Sequence, residues 1–284
     1  MTKQVNEKMK KGISIWSFQG EPLEQVFGLA AKHGYEGVEL GLSEDGPITE
    51  QTTEAEAHAI RELADQAGVQ IVGLATALYW NYPLTSDDET VRARSVSLMR
   101  KQLQIAAWLA VDTILVLAGS VTGGEGGRPY IPYDVAWQRS IDGIRAALPA
   151  AEAAGVQIAI ENVWNNYLMS PLEMRNLVDA INHPLVGVYL DSGNMKPFGH
   201  PEDWIQVLGK RIQKVHFKDF AHTSQGAGFF CNLLEGHVNW PEVMKALRET
   251  GYTDWVTAEI TPFPMANDVQ LTTTSLAMDK ILGM

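Results

Sequence analysis

The chain has 284 residues, 45% of them hydrophobic, with 34 acidic side chains against 22 basic ones and a formal net charge of −12. That length and apolar share supply a sizeable core and exclude wholesale disorder, and the acidic balance argues against a nucleic-acid partner held through its phosphates. No apolar run reaches the ~18 residues of a membrane helix, the opening Met1-Thr2-Lys3-Gln4 lacks a signal-peptide core, and the lone Cys231 makes no internal disulfide, so a cytoplasmic protein is expected.

In chain order, residues 12–18 read as a first strand and 22–33 as a helix with Pro22 in its first turn. A second strand follows at 37–40, a helix at 52–67 stopped by Gly68, and a third strand at 69–75. Residues 87–110 form a long helix with an acidic start, and 113–117 a fourth strand. A helix at 133–154 ends at Gly155, and 156–161 is a fifth strand. Ser170-Pro171 opens the next helix as cap and first-turn proline. Strand 186–191, helix 201–208, strand 212–217, helix 240–250 and strand 255–260 continue the rhythm. A last helix spans 269–281, with Asn267 and Asp268 available as caps.

Eight strand–helix units fill residues 1–284 with no linker between halves. The strands are continuous apolar runs, as a parallel sheet covered by helices requires. This predicts one α/β domain, a (β/α)8 TIM barrel. A doubly wound dinucleotide fold would want a Gly-rich turn after the first strand, and Phe18-Gln19-Gly20-Glu21-Pro22 is not one.

In such a barrel the active site lies at the carboxyl ends of the strands. Strand two carries Glu39 there, and strands five to eight end on Glu161, Asp191, His216 and Glu259. Any one of these alone reads most simply as a solvated strand end or a buried ion pair. Four together on one rim would repel and desolvate one another without a cation. Three carboxylates and one imidazole suit one divalent ion of hard character, Mn2+ or Mg2+, with Co2+ or Zn2+ as alternatives.

The ordered set Ile160-Glu161-Asn162, Leu190-Asp191-Ser192-Gly193-Asn194, Val215-His216-Phe217-Lys218-Asp219 and Ala258-Glu259-Ile260 resembles the sugar phosphate isomerase/epimerase family, with its xylose isomerase-like barrel. Gly12-Ile13-Ser14, the segment 34–40 and Glu235-Gly236-His237-Val238-Asn239-Trp240 extend the resemblance over nearly the whole chain. The resemblance implies metal ligation by Glu161, Asp191, His216 and Glu259, and acid–base roles for Glu161 and Glu259 as in the family's ketose 3-epimerases. It implies a carbohydrate substrate, a single divalent ion, and association into dimers or tetramers. Asn194 and Tyr167 stand where free-ketose 3-epimerases have a His and a Glu, so the chain is closer to the sugar-phosphate branch, such as L-xylulose 5-phosphate 3-epimerase.

Lys218 is a candidate contact for a phosphate or a sugar hydroxyl, or a solvated loop lysine. Asn194 could bond a hydroxyl or orient a ligand. Trp16, Trp80 and Trp164 are candidate walls of a sugar pocket, or rim packing. Glu39 could position a substrate hydroxyl or serve as a structural carboxylate. The Gly-rich segment 119–128 is a candidate lid, with Arg128 a candidate anion contact, and the segment 220–237 is a second candidate lid; His222 and His237 are read as loop residues, and His33, His58 and His183 as structural.

Keto-inositol (inosose) dehydratases of the same family begin with the same proton removal, and products rather than residues separate the two. The multi-zinc AP endonucleases that share the barrel need further His ligands, where this chain has Ala75, Leu117-Ala118-Gly119 and Asn194. A non-catalytic sugar-binding barrel would not need both Glu161 and Glu259.

Overall fold

Short apolar runs alternating with capped amphipathic stretches dictate the architecture. The computed structural model describes residues 9–122, 130–223 and 227–284. Its strands are β1 (Lys10–Ser14), β2 (Gly37–Gly41), β3 (Gln70–Ala75), β4 (Thr113–Val116), β5 (Gln157–Glu161), β6 (Val186–Asp191), β7 (Ile212–Phe217), β8 (Asp219–His222), β9 (Gly228–Cys231) and β10 (Trp255–Ala258). All but β8 and β9 pair in parallel and close into a barrel in the order β1-β10-β7-β6-β5-β4-β3-β2. The crossovers are α1 (Leu23–Lys32), α2 (Glu54–Ala67), α3 (Glu89–Trp108), α4 (Tyr133–Ala154), α5 (Pro171–Ile181), α6 (Pro201–Leu208) and α7 (Trp240–Glu249), with α8 (Asn267–Leu282) closing the ring. The expected (β/α)8 barrel is thus the observed one, and β2, β4 and β6 are buried along nearly their whole length.

Local signals set the helix ends. Thr53 and Ser170 each form a capping box, with Glu56 and Glu173. Gly68 and Gly155 end α2 and α4 in the left-handed region, at φ 74° and 67°. None of the described helices is long and apolar enough to cross a membrane.

Several boundaries differ from the sequence reading. The first strand stops at Ser14, because its hydroxyl accepts the Trp16 amide and turns Ile15–Ser17 into a 3-10 helix. That turn carries Trp16 to the barrel mouth. The last strand stops at Ala258, although the Glu259 amide still donates to the Phe217 carbonyl at 3.1 Å. Pro22 is the N-cap of α1 rather than a first-turn residue. Asn267 and Asp268 lie inside α8, which has no side-chain cap and begins after Ala266 at φ 60°.

The segment read as a lid at 220–237 contains β8 and β9, an antiparallel hairpin that pairs Phe220 with Phe230. Asp219 anchors the loop between this hairpin and α7. Its fully buried carboxylate accepts from the amides of Phe220, Leu234, Gly236 and Val238 and from Trp240 Nε1, at 2.8–3.2 Å. Asp219→Ala leaves five donors, three of them buried, without that acceptor, so we expect a stability loss of about 3 kcal/mol or more by chemical denaturation. A loss below about 1 kcal/mol would show that the loop reorganises around other acceptors. Of the other lid candidate, Arg128 and residues 123–129 lie outside the described residues.

Candidate metal centre

Barrel register brings the four strand-end residues together. Asp191 pairs with His216 across β6 and β7, and Glu161 pairs with Tyr189 across β5 and β6. Glu259 follows Ala258, the register partner of Phe217. One donor atom from each of Glu161, Asp191, His216 and Glu259 lies within 4.8 Å of the other three. His216 Nδ1 is 3.4 Å from Glu161 Oε1, 3.3 Å from Glu259 Oε2 and 3.9 Å from Asp191 Oδ2. His216 and Asp191 are fully buried, Glu161 is buried, and Glu259 keeps some access to solvent.

The two Asp191 oxygens have different surroundings. Oδ1 accepts the amides of Gly193 and Asn194 at 2.8 Å each, while Oδ2 is buried without a hydrogen-bond partner and faces the cluster. A buried carboxylate oxygen left without a donor is costly unless a cation meets it. The converging donors, three oxygens and one imidazole nitrogen, fit a divalent ion.

His216 is oriented from behind. Its Nε2 lies 3.0 Å from both oxygens of Glu39, which also accepts a hydrogen bond from the Tyr189 hydroxyl. Glu39 therefore favours the proton on Nε2 and aims Nδ1 at the cluster, where an ion would have to take the place of any proton that Nδ1 carries. This corrects the expectation that Glu39 contacts substrate: it has no exposed surface and its oxygens face His216 and Tyr189. Register shifts in β2–β3 and β6–β7 fall beside these two residues, at Val38/Glu39 and Val188/Tyr189. Gly73 makes room for the pair, since a Cβ there would lie 3.2 Å from the Tyr189 hydroxyl. Glu39→Gln can turn an amide donor toward Nε2 and reverse the tautomer. We expect Mn2+ affinity to fall about tenfold or more, read by calorimetric titration. Unchanged affinity would mean that Glu39 does not set the imidazole.

Lys218 is not a solvated loop lysine. Its Nζ is 2.9 Å from Glu259 Oε1 and 3.6 Å from Asp191 Oδ2, and it sits 4.7 Å from the Phe230 ring centre. Gly193 permits this approach, because a Cβ there would lie 2.8 Å from Lys218 Cγ. Burial pushes the Glu161 carboxyl up to about 7, against the pull of His216. Burial acts the same way on Glu259, but Lys218 and His216 outweigh it and hold that carboxyl at about 2. Burial also raises Asp191, opposed by Lys218. His216 moves well above its usual value, because Glu39, Glu161 and Glu259 outweigh its burial. A dication in their midst would favour the ionised form of each carboxylate.

Asn194 lines the cavity beside the cluster, and its side chain donates to the Asn162 carbonyl at 3.0 Å. Its backbone N–H also donates to Asp191 Oδ1 at 2.8 Å. Trp16, Trp80 and Trp164 all wall the same cavity of about 330 Å³, together with Glu161, Glu259, Lys218 and Phe230. Trp164 donates from Nε1 to the Asn194 carbonyl at 2.7 Å and stacks on Phe230, with ring centres 4.8 Å apart. His222 and His237 lie in the hairpin region, and neither belongs to the four-residue cluster. His33, His58 and His183 meet Thr272, Glu54 and Glu152 away from it.

Four contributors escaped the sequence reading. Asn162 brackets the Asp191 backbone, its Oδ1 accepting the amide and its Nδ2 donating to the carbonyl. Ser192 accepts the Lys218 amide and donates to the Lys218 carbonyl. Tyr189 and Phe230 act through contacts that no local pattern announces. Asn162 and Ser192 adjoin Glu161 and Asp191, and their polarity directly after a buried strand was the available signal.

A parallel eight-stranded barrel with an acid-and-imidazole cluster at the carboxyl ends of its strands defines the class. The chain belongs to the xylose isomerase-like TIM barrel family, whose model matches residues 27–278. It is similar to an L-ribulose-5-phosphate 3-epimerase of Escherichia coli, at 26% identity over 235 residues, covering 79% of this chain and 77% of that protein. Among solved structures, a D-tagatose 3-epimerase-like protein superposes with a TM-score of 0.79 at 21% identity, covering 97% of each chain. A D-psicose 3-epimerase determined in the presence of D-fructose superposes with a TM-score of 0.78 at 19% identity, over 97% of this chain and 100% of that one.

Proposed function

We propose that the protein is a divalent-metal-dependent sugar epimerase of the ketose 3-epimerase type, acting on a keto sugar or its phosphate. The observation that carries this reading is the convergence of Glu161, Asp191, His216 and Glu259 within 4.8 Å at the mouth of the barrel. The epimerase names among its relatives support it.

Glu161, Asp191, His216 and Glu259 would hold the ion, Mn2+ being the first choice for a mostly oxygen donor set. When bound, the ion supplies positive charge that stabilises the negative charge developing on a substrate carbonyl and its neighbouring hydroxyl. The protein's own groups do the rest. Glu161 comes from the end of β5 and Glu259 from the end of β10, so the two carboxylates reach the cavity from different sides of the barrel. One removes the proton from the carbon next to the carbonyl and the other returns a proton to the opposite face, which inverts that centre. Lys218 holds Glu259 in position and offsets part of the carboxylate charge. Asn194 and Asn162 fix Asp191, and the tryptophans restrict water around the reacting carbon. The free Cys231 thiol accords with a cytoplasmic enzyme.

The test is product analysis on a panel of ketoses and ketose phosphates with Mn2+ present. Interconversion of epimers at carbon 3 is expected. Formation of a dehydrated product instead would replace the epimerase assignment.

A further inference from the structure

Lys218 stands between β7 and β8 with its main chain pinned. Ser192 Oγ accepts its amide at 3.1 Å and donates to its carbonyl at 2.8 Å, and the next residue is the buried anchor Asp219. The stem runs against Gly193, where a Cβ would lie 2.9 Å from Lys218 Cβ and 2.8 Å from Cγ. Phe230 covers the ammonium from the hairpin, its ring centre 4.7 Å from Nζ. These contacts hold the ammonium in the wall of the reaction cavity, beside Glu259, Glu161 and Asn194.

The ammonium keeps donors to spare. It has three N–H groups. Glu259 Oε1, at 2.9 Å, takes one, while Asp191 Oδ2, at 3.6 Å, is close enough for an ion pair but too far for a hydrogen bond. The side chain retains 15% exposure and lines the cavity, so an acceptor for the remaining donors has to come from there. Offsetting carboxylate charge requires an ammonium nearby; it does not require one whose donors open into the cavity.

Asn194 lines the same cavity with an unused acceptor. Its backbone N–H donates to Asp191, its carbonyl accepts from Trp164 Nε1, and its Nδ2 donates to the Asn162 carbonyl. Oδ1 meets no donor among the described residues. Spare donors on an ammonium and a spare amide oxygen in one cavity suit a hydroxyl, which accepts and donates at once; a carboxylate has no proton to give.

We propose that Lys218 binds the substrate directly, donating to a hydroxyl on carbon 1 or carbon 4 of the keto sugar. This rests on the epimerase reading above and names a contact within it. On that reading Glu259 works at carbon 3, and Nζ lies 2.9 Å from its Oε1, so Nζ reaches oxygens close to the reacting carbon. The carbonyl at carbon 2 and the hydroxyl at carbon 3 are the oxygens whose charge the ion stabilises, which leaves the hydroxyls on the two flanking carbons.

The test uses D-fructose and its 1-deoxy, 4-deoxy and 6-deoxy analogues. Each is titrated calorimetrically into the Mn2+-supplemented full chain and into the Lys218→Met and Lys218→Gln variants. Each penalty for a missing hydroxyl is taken relative to D-fructose on the same protein, so a general change in Glu259 or in metal affinity cancels. One of the 1-deoxy and 4-deoxy sugars is expected to bind the parental chain about tenfold or more weakly than D-fructose, the size of a charge-assisted hydrogen bond. Lys218→Met should shrink that penalty to about threefold or less, and the 6-deoxy penalty should be the same in both proteins. Lys218→Gln, which keeps a donor without the charge, should give an intermediate penalty; if Lys218→Met does not fold, a clear reduction in Lys218→Gln is the required result. The inference is overturned if the penalty survives undiminished in the variants, which would leave Lys218 as a charge partner of Glu259 alone. It is also overturned if neither flanking deoxy sugar is penalised, or if none of the sugars binds. Exchange of the carbon-3 proton in D2O is read separately. The expected penalties without exchange would count against epimerase chemistry and leave the Lys218 contact standing, whereas exchange without them would remove the contact and leave the chemistry.

Discussion

Glu161→Gln and Glu259→Gln are each expected to lower turnover by about a thousandfold or more, the range set by loss of a positioned acid or base. Both replacements keep an oxygen that can still face the cluster, so they remove proton transfer more completely than they remove ligation. Glu161→Gln also relieves repulsion among buried carboxylates, so the unfolding midpoint of the metal-free protein should not fall, whereas Glu259→Gln removes the charge partner of Lys218 and should lower it. The two variants should differ in a diagnostic way. With one base missing, the other can still take a proton from its own face and return a solvent proton there. Each variant should then exchange the carbon-3 proton of one epimer while failing to convert it, with the favoured epimer reversed between them. Metal content measured on the same samples separates lost chemistry from lost ion. Near-parental turnover in either variant would sink the two-carboxylate mechanism.

The second large effect is expected from metal removal. Chelation should abolish turnover, and Mn2+, Co2+ or Mg2+ should restore it. The ion should also act on stability, because it would bind the folded cluster and has no comparable site in the unfolded chain. At a hundredfold excess over its dissociation constant it should add about 2.7 kcal/mol, read as a concentration-dependent rise in melting temperature. His216→Ala should remove most of that rise, since Nδ1 is the one nitrogen among the four donors. Full activity in protein shown to be metal-free by elemental analysis would exclude a metal-dependent reaction.

The four-residue cluster was legible in the sequence because barrel strands announce their ends. A buried parallel strand reads as an apolar run, and the polar residue that closes it stands at the mouth. Glu161, Asp191, His216 and Glu259 each close such a run, so their convergence followed from topology alone. Glu39 closes one too, yet it lies behind His216 rather than in the mouth. Nothing local distinguishes those two outcomes. The difference arises from a contact spanning 177 positions and from the register shifts that aim Glu39 and Tyr189 at each other. Lys218 was similarly ambiguous, because its pairing depends on Glu259 arriving from β10 and on the space that Gly193 leaves. The hairpin of β8 and β9 was hidden inside a segment rich in Gly and polar residues, where Phe220 and Phe230 are the only strong strand formers that pair directly.

The most direct test of the central claim is deuterium uptake at carbon 3 of the ketoses and ketose phosphates that the protein epimerises, followed by NMR in D2O with and without Mn2+. Passage of the proton through two carboxylates in a metal-dependent site predicts deuterium in the converted epimer, and no uptake once the metal has been stripped. Epimer interconversion with carbon 3 fully protonated, or exchange that persists in metal-free protein, would contradict it.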